Sequence, residues 1–192
     1  MIIFTTTARA TALALLTTLG ASAAQADQKL LPAQSEIAFV SKQMGVPVEG
    51  RFKKFDAQIA FDPAKPQTGK IAFSIDIASV TLGSPEPDAE LPKAPWFNTA
   101  KFPQATFQSS SIKGLGAGKF EVLGKLTIKG NTQDTVIPVA LVQTGPTTIA
   151  SGALTIKRLA YKIGENEWAD TSMVADDVQI KFKLALSGVG KF

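Results

Sequence analysis

The 192-residue chain contains no cysteine and no histidine. Without cysteine it can form no disulfide, no thiolate-ligated zinc or iron–sulfur site, and no thiolate nucleophile. Without histidine it has no Ser-His-Asp triad, no imidazole acid or base near neutral pH, and no axial histidine for haem. Catalysis would have to use carboxylates, lysines, hydroxyls or the single tyrosine, Tyr161, and a metal would have carboxylates alone. We therefore predict a protein that is not an enzyme and that carries no metal or cofactor.

The charge balance is mild, with 20 Lys and Arg against 16 Asp and Glu and a net charge of +4. Only residues 51–54 (RFKK) form a tight basic group, whereas nucleic-acid binders usually show a dense basic stripe with interleaved aromatics. We predict no nucleic-acid partner and interpret this group as an ordinary charged outer face. The acidic groups at residues 86–90 and 176–177 lack EF-hand spacing, so we interpret them as a solvated loop and a turn.

Residues 1–26 have the composition of a targeting segment. They contain no acidic residue and one basic residue, Arg9, followed by an apolar run at residues 10–19. The segment ends in Ala24-Gln25-Ala26, the small-x-small pattern of a signal-peptidase site, and the apolar run is too short to span a bilayer. We predict a signal peptide cleaved after Ala26 and a single mature domain, residues 27–192. No later apolar run is long enough for a transmembrane segment, so we expect export, to the periplasm in a Gram-negative cell.

From residue 35 onward, apolar and polar residues alternate with the period of two that a half-buried β-strand requires. The clearest case is the last strand, in which Val178, Ile180, Phe182 and Leu184 share one face. Strands are predicted at residues 36–43, 50–61, 71–78, 105–112, 120–129, 137–141, 149–157 and 178–186. About eight strands with short connections fit a sandwich or a closed barrel, and alternation alone does not choose between them.

Two irregularities interrupt this pattern. Phe52 and Phe55 fall on opposite parities, and a bulge near Lys53 and Lys54 would bring both rings to one face. The polar stretch at residues 130–134 predicts a hairpin with a five-residue connection, whose turn type stays open.

Residues 84–102 depart from the strand rhythm. They include four prolines, and we predict a long connection with a short helical turn around Asp88–Leu91. A connection of this length is often a functional lid or cap. Trp96 and Phe97 must be buried, either as a plug in the core or as a wall of a pocket.

Four blocks of the chain together resemble the YceI family of polyisoprenoid-binding-like proteins. The first is residues 96–107 (WFNTAKFPQATF), with an aromatic pair, an aromatic-Pro step and a strand beginning in Thr-Phe. The others are residues 124–130 (GKLTIKG), residues 37–55, and residues 158–164 (RLAYKIG) followed by DVQI. Each motif alone is common, but their order covers nearly all of residues 30–188.

The resemblance implies an all-β fold, an eight-stranded antiparallel lipocalin-like barrel with a short helical capping segment. It implies a ligand inside the barrel, a long polyisoprenoid lipid such as an isoprenoid quinone or a polyprenyl phosphate. Lys129 stands where family members often carry histidine. The pattern at residues 43–50 resembles a branch sometimes found beside or fused to cytochrome b561-type membrane proteins, which by association favours a quinone ligand or such a protein as a redox partner.

A flexible prenyl chain requires curved apolar walls, and 11 of the 12 phenylalanines lie in the mature chain. We predict a bound lipid rather than a cofactor, and Arg158 is the basic candidate for the site because it lies in a block that resembles the family. The alternative for Arg158 is a structural hydrogen bond to strand carbonyls near the barrel rim. The candidate binding residues are Phe39, Phe52, Phe55, Phe73, Ile75, Trp96, Phe97, Phe107, Leu126, Ile128, Arg158 and Phe182.

Two other functions stay open at the level of sequence. The chain could be an interaction module for a membrane redox protein that holds no lipid itself, for which a filled barrel would be expected. It could also be a hydrolase or isomerase, which would need two carboxylates facing one cavity. A continuous apolar tunnel through the barrel would favour the lipid-binding protein, although the sequence does not say which strand parity faces inward.

Overall fold

The structure, a computed structural model, describes residues 28–192, so the predicted signal peptide lies outside the described residues. Among these described residues, the one α-helix, α1, spans Pro85–Glu90, and five 3₁₀ turns span Pro32–Gln34, Pro66–Thr68, Ile77–Ser79, Arg158–Tyr161 and Asn166–Ala169. The strands are β1 (Lys29–Leu30), β2 (Glu36–Gln43), β3 (Val46–Phe52), β4 (Phe55–Ala60), β5 (Lys70–Asp76), β6 (Val80–Thr81), β7 (Gln104–Gly116), β8 (Lys119–Ile128), β9 (Asn131–Thr144), β10 (Thr147–Lys157) and β11 (Asp177–Ser187).

These strands form one closed antiparallel sheet. β3 and β4 act as the two halves of a bent strand: β3 pairs with β2, and β4 pairs with β5. The other neighbours follow in the order β5, β7, β8, β9, β10, β11 and back to β2, and β1 lies between β4 and β11. The wall therefore has eight strands, and the predicted eight-stranded antiparallel barrel is confirmed.

Sequence alternation decides which side chains enter the barrel. Along β11, Val178, Ile180 and Phe182 are half-buried and line the interior, while Lys181 and Lys183 are exposed. Because successive side chains of a strand point to opposite faces, the apolar parity of every long strand contributes to one shared interior. The structure thus supplies the inward parity that the sequence left open.

The predicted single strand at residues 50–61 is wrong. The chain forms β3 and β4, interrupted at Lys53 and Lys54, whose backbone N–H groups both donate to Ser79 Oγ at 3.1 and 2.9 Å. The interruption has the effect expected of a bulge, because Phe52 and Phe55 both pack against the interior core. The pairing partners of the strand change here, which a single-strand pattern does not reveal.

The predicted five-residue connection at residues 130–134 is also wrong. β9 begins at Asn131, which pairs with Ile128, so the connection consists of Lys129 and Gly130 alone. Both have positive φ angles, 49° and 74°, as the two central residues of a type I′ turn require. The polar residues after the turn are strand residues with solvent-facing side chains, and their polarity reflects exposure rather than a loop.

Residues 84–102, called the cap from here on, cross one end of the barrel, which we call the upper end. The predicted helical turn is present but longer, since α1 begins at Pro85. A proline fits the first helical position because its missing N–H would have no partner there. The Asp88 carboxylate accepts hydrogen bonds from Thr81 Oγ1 and the Leu82 N–H, which ties the cap to β6.

Three interior phenylalanine rings lie directly over glycine backbone, where a Cβ atom would overlap the ring. The absence of a side chain lets each ring approach the barrel wall instead of occupying the centre of the barrel. The pairs are Phe39 over Gly50, Phe107 over Gly124, and Phe182 over Gly152.

Candidate functional site

The barrel interior contains two cavities, one above the other. The upper cavity has a volume of about 280 Å³ and lies beneath the cap, with Leu91, Trp96 and Phe97 among its lining residues. The lower cavity has a volume of about 170 Å³ and extends to Phe61 and Val189 at the opposite end. Ligand pockets of small molecules are about 300–1,000 Å³, so the two cavities reach that range only when taken together.

Four aliphatic side chains line both cavities: Ile37, Ile75, Leu126 and Ile180. They come from β2, β5, β8 and β11, which are distributed around the barrel. We call this set the collar. Because its members border both cavities, the collar marks the junction at which the upper space meets the lower one.

The lower cavity is lined only by Ala, Val, Leu, Ile and Phe side chains. Phe73, Phe107 and Phe182 contribute aromatic walls, and a hydrogen-bonded pair between the Gln28 side chain and the Phe61 backbone fastens the far end. Apolar surface of this kind is favourable for an apolar ligand, at about 25 cal/mol for each Å² removed from water.

The upper cavity is edged by aromatic rings from separate segments. Trp96 of the cap lies 5.4 Å from Trp168, ring centroid to ring centroid. Phe52 lies 6.4 Å from Phe97 of the cap and 5.5 Å from Phe39 on the neighbouring strand. These separations are typical of favourable aromatic pairs, so the cap is held over the barrel by ring contacts.

Polar side chains reach the cavities only at the upper end. Ser41, Gln43, Glu90 and Arg158 line the upper cavity, and the lower cavity has no polar lining residue among residues 28–192. The interior is therefore polar at one end and apolar along the rest of its length.

Arg158 is 2% exposed, and backbone carbonyls surround its guanidinium. Its five N–H groups donate at 2.7–3.1 Å to five carbonyl oxygens. These carbonyls belong to Ile163, Gly164, Trp168, Val174 and Ala175. Burial lowers the pKa of Arg158, and the nearby Asp176 carboxylate opposes this shift. Arg158 thus organises the loop between β10 and β11, and its acceptors are carbonyls of that loop rather than strand carbonyls.

Lys129 fastens the cap to the same loop. Its side chain is 5% exposed, and its ammonium donates to the carbonyls of Ala94 and Lys162 at 2.8 and 2.6 Å. It also donates to the Glu165 carboxylate at 2.8 Å, and this bond lowers the pKa of Glu165. The turn of the β8–β9 hairpin therefore anchors the middle of the cap, at Ala94.

Of the residues predicted from the sequence, all but Phe55 line a cavity. The upper cavity takes Phe39, Phe52, Trp96, Phe97, Ile128 and Arg158, the lower takes Phe73, Phe107 and Phe182, and Ile75 and Leu126 border both. Phe55 is not among the lining residues, but it packs against Phe73 of the lower cavity, with ring centroids 6.0 Å apart.

Sequence reasoning missed Trp168 and the anchoring role of Lys129. Trp168 lies in a 3₁₀ turn of an irregular loop, where no periodic pattern marks an inward side chain. Lys129 is a charged residue at a turn, a position where solvent exposure is the ordinary expectation. A signal for Trp168 was its chemistry, because a large indole in a polar loop needs a surface on which to pack.

A model of the YceI-like domain matches residues 28–186, nearly the whole of the described chain. The chain belongs to the YceI-like family. The family assignment agrees with the closed barrel and with the order of the four sequence blocks.

Curated relatives match over part of their length. A UPF0312 protein of Azotobacter vinelandii is 33% identical over 131 residues, which is 66% of this chain and 68% of that protein. The protein YceI of Escherichia coli O157:H7 is 38% identical over 96 residues, half of each chain.

Solved structures show the same fold over a larger share of the chain. The Burkholderia cenocepacia protein BcnA is 48% identical with a TM-score of 0.79, covering 81% of this chain and 98% of BcnA. A polyisoprenoid binding domain from Saccharophagus degradans, implicated in plant cell wall breakdown, is 20% identical with a TM-score of 0.65. That alignment covers 84% of this chain and 98% of that domain, and at this identity it establishes the fold alone.

Two further observations concern the described residues. Residues 28–192 contain no cluster of three or more Asp and Glu side chains that could hold a metal ion. None of the helices in this part of the chain has the length and hydropathy needed to cross a membrane.

Proposed function

We propose that this protein binds a long polyisoprenoid lipid inside its barrel and sequesters or carries it. The observation that carries the proposal is the pair of adjoining apolar cavities, which share the collar and run from the cap toward the far end of the barrel. Many small barrels have an interior that is filled by side chains, and such an interior would leave no space for a ligand.

The shape and chemistry of the space support a chain-like ligand. The lower cavity offers no polar group to a ligand, so it suits a hydrocarbon tail and not a sugar, a nucleotide or an amino acid. The polar side chains at the upper end suit a head group. The Saccharophagus degradans domain, described as polyisoprenoid binding, indicates that this barrel architecture can accept such a chain.

The residues at the upper end of the barrel also favour one kind of head group. Among the residues lining the upper cavity, Arg158 is the one cation, and backbone carbonyls already accept from all five of its N–H groups. A phosphate would therefore find no free guanidinium donor here, whereas a quinone ring requires only weak donors such as Ser41 and Gln43. We favour an isoprenoid quinone over a polyprenyl phosphate.

The same features argue against the two other functions. An interaction module for a cytochrome b561-type protein would be expected to have a filled barrel, and this barrel contains open space. A hydrolase or isomerase would need paired carboxylates, and Glu90 is the one carboxylate among the residues lining the cavities. The protein is proposed to act as a binding protein, exported to the periplasm after cleavage behind Ala26.

Intrinsic fluorescence provides a direct test, because the chain has two tryptophans, and Trp96 and Trp168 both line the upper cavity. Purified mature protein, residues 27–192, is titrated with a long-chain isoprenoid quinone. We expect saturable quenching, since the quinone ring would lie beside both indoles. A quinone without its prenyl tail is the control and should bind much more weakly.

Two further measurements complete the test. Polyprenyl phosphate, which does not quench by itself, is added as a competitor, and it should displace the quinone poorly. Lipid extracted from protein purified from the periplasm is identified by mass spectrometry. Absence of both quenching and co-purified isoprenoid would show that the proposal is wrong, and efficient displacement by polyprenyl phosphate would reverse the head-group preference.

A further inference from the structure

We infer that the collar selects ligands by tail length, with the lower cavity as the separate position for the distal isoprene units. This inference rests on the proposed function, because it assigns a specificity role to residues of the same site. Its basis is that the same four side chains border both the upper and the lower cavity, so a tail that extends from one to the other must pass them.

The volumes set the order in which the tail fills the barrel. The upper cavity of about 280 Å³ lies under the cap beside the polar side chains, so it receives the head group and the first part of the tail. A longer tail reaches the lower cavity of about 170 Å³ by passing the collar. A short tail ends above the collar and gains nothing from the lower walls.

The lower cavity is kept open by its wall. The rings of Phe107 and Phe182 lie over Gly124 and Gly152, and a Cβ on either glycine would also overlap a backbone carbonyl oxygen, that of Gln108 or Pro138. Each ring is thereby held against the wall by a residue that cannot be enlarged without moving the backbone. The width of the lower cavity is therefore set by glycine positions in the strands.

Strand β5 supplies a matched pair of positions for the test. Ile75 belongs to the collar, while Ile71, four residues earlier on the same inward face, borders the lower cavity alone. Both are half-buried, and Ile75 pairs with the small residue Ala105 on β7. The variants are Ile75→Phe and Ile71→Phe.

The experiment measures the affinity of each protein for isoprenoid quinones of increasing tail length, followed by the quenching of Trp96 and Trp168. For the unsubstituted protein, affinity should rise with each isoprene unit until both cavities are full, by at least about tenfold per unit buried. For Ile75→Phe, short tails should still bind, and the rise should stop at the length that fills the upper cavity. For Ile71→Phe, the rise should continue past the collar and stop at a slightly shorter tail than normal.

Binding of the short-tailed quinone also reports that each variant is folded. If Ile75→Phe does not fold, Ile180→Phe narrows the collar from β11 and should give the same truncated series. Equal effects of Ile75→Phe and Ile71→Phe on every tail length would overturn the inference and leave the proposed function standing. Failure of the unsubstituted protein to bind any tail length would instead refute the proposed function.

Discussion

The upper and lower halves of the barrel interior are built from the same strands but differ in how they are closed and in what they offer a ligand. The upper half is covered by the cap, a separate segment held by ring contacts, Asp88 and Lys129. The lower half is closed by its own strands and neighbouring residues, with apolar side chains throughout. The upper half also carries all the polar lining residues of the described interior.

This difference gives the cavity a direction. A molecule with a polar head and an apolar tail has one favourable orientation, because reversing it would bury the head among side chains that cannot hydrogen-bond. Entry is also expected at the upper end, since rearranging the cap breaks few backbone hydrogen bonds. Opening the lower end would break the antiparallel ladder of the barrel wall.

The largest expected effect is that of removing Arg158 from the upper half. Arg158→Ala should lower the free energy of unfolding by about 3–5 kcal/mol, because several buried carbonyls lose a charged donor. Urea denaturation measures this change. Lys157→Ala, at the exposed neighbour, is the control and should leave the denaturation midpoint unchanged. A stable Arg158→Ala protein with impaired quinone binding would instead make Arg158 a ligand contact.

The glycines of the two halves should respond differently to the same substitution. Gly152→Ala should cost about 2–3 kcal/mol of stability, because its Cβ would overlap the backbone oxygen of Pro138 as well as the Phe182 ring. Gly50→Ala should cost less than about 1 kcal/mol, since the Phe39 and Leu82 side chains that it meets can rotate. Thermal unfolding of both variants checks the order, and equal costs would mean that the upper wall is as rigid as the lower.

The polarity difference can be tested with a hydroxyl added in each half. Val139 borders the lower cavity and Val48 the upper one, so Val139→Thr and Val48→Thr place the same group in the two environments. We expect Val139→Thr to lower stability by about 1–2 kcal/mol and to weaken binding of long-tailed quinones, because its hydroxyl has no apparent partner there. Val48→Thr should be close to neutral in both assays. Similar losses in the two proteins would remove the polarity gradient.

The smallest effect concerns the anchor of the cap. The hydrogen bond from Lys129 lowers the pKa of Glu165 below its ordinary value of 4.5, so this bond contributes stability above that pH. The contribution is lost as the pH falls below 4.5 and through the lowered pKa of the folded protein. Glu165→Gln should reduce this loss of stability at acid pH. Thermal unfolding is followed between about pH 6 and about pH 3, a range that spans the ordinary pKa of a glutamate. An unchanged pH profile would mean that Lys129 holds the cap through carbonyls alone.

Strand number and the apolar character of the interior could be predicted from the sequence because both depend on local patterns. Alternation along residues 178–186 and its counterparts indicated about eight strands, and the phenylalanine-rich apolar parity indicated an apolar interior. The hairpin turn at Lys129 and the break at Lys53 could not be placed. A polar strand end facing solvent has the same composition as a loop, and a change of pairing partner leaves no local trace.

The sequence by itself determined the β class and the family, and it nominated twelve interior residues of which all but Phe55 line a cavity, because side-chain period and residue type are properties of the chain. Only the tertiary structure decided the inward parity, the division of the interior at the collar, and the role of Arg158. These depend on contacts between residues far apart in sequence, such as the carbonyls that gather around one guanidinium. The absence of cysteine and histidine excludes thiolate and imidazole chemistry from this interior, and the closure of the sheet sets the volume of its cavities.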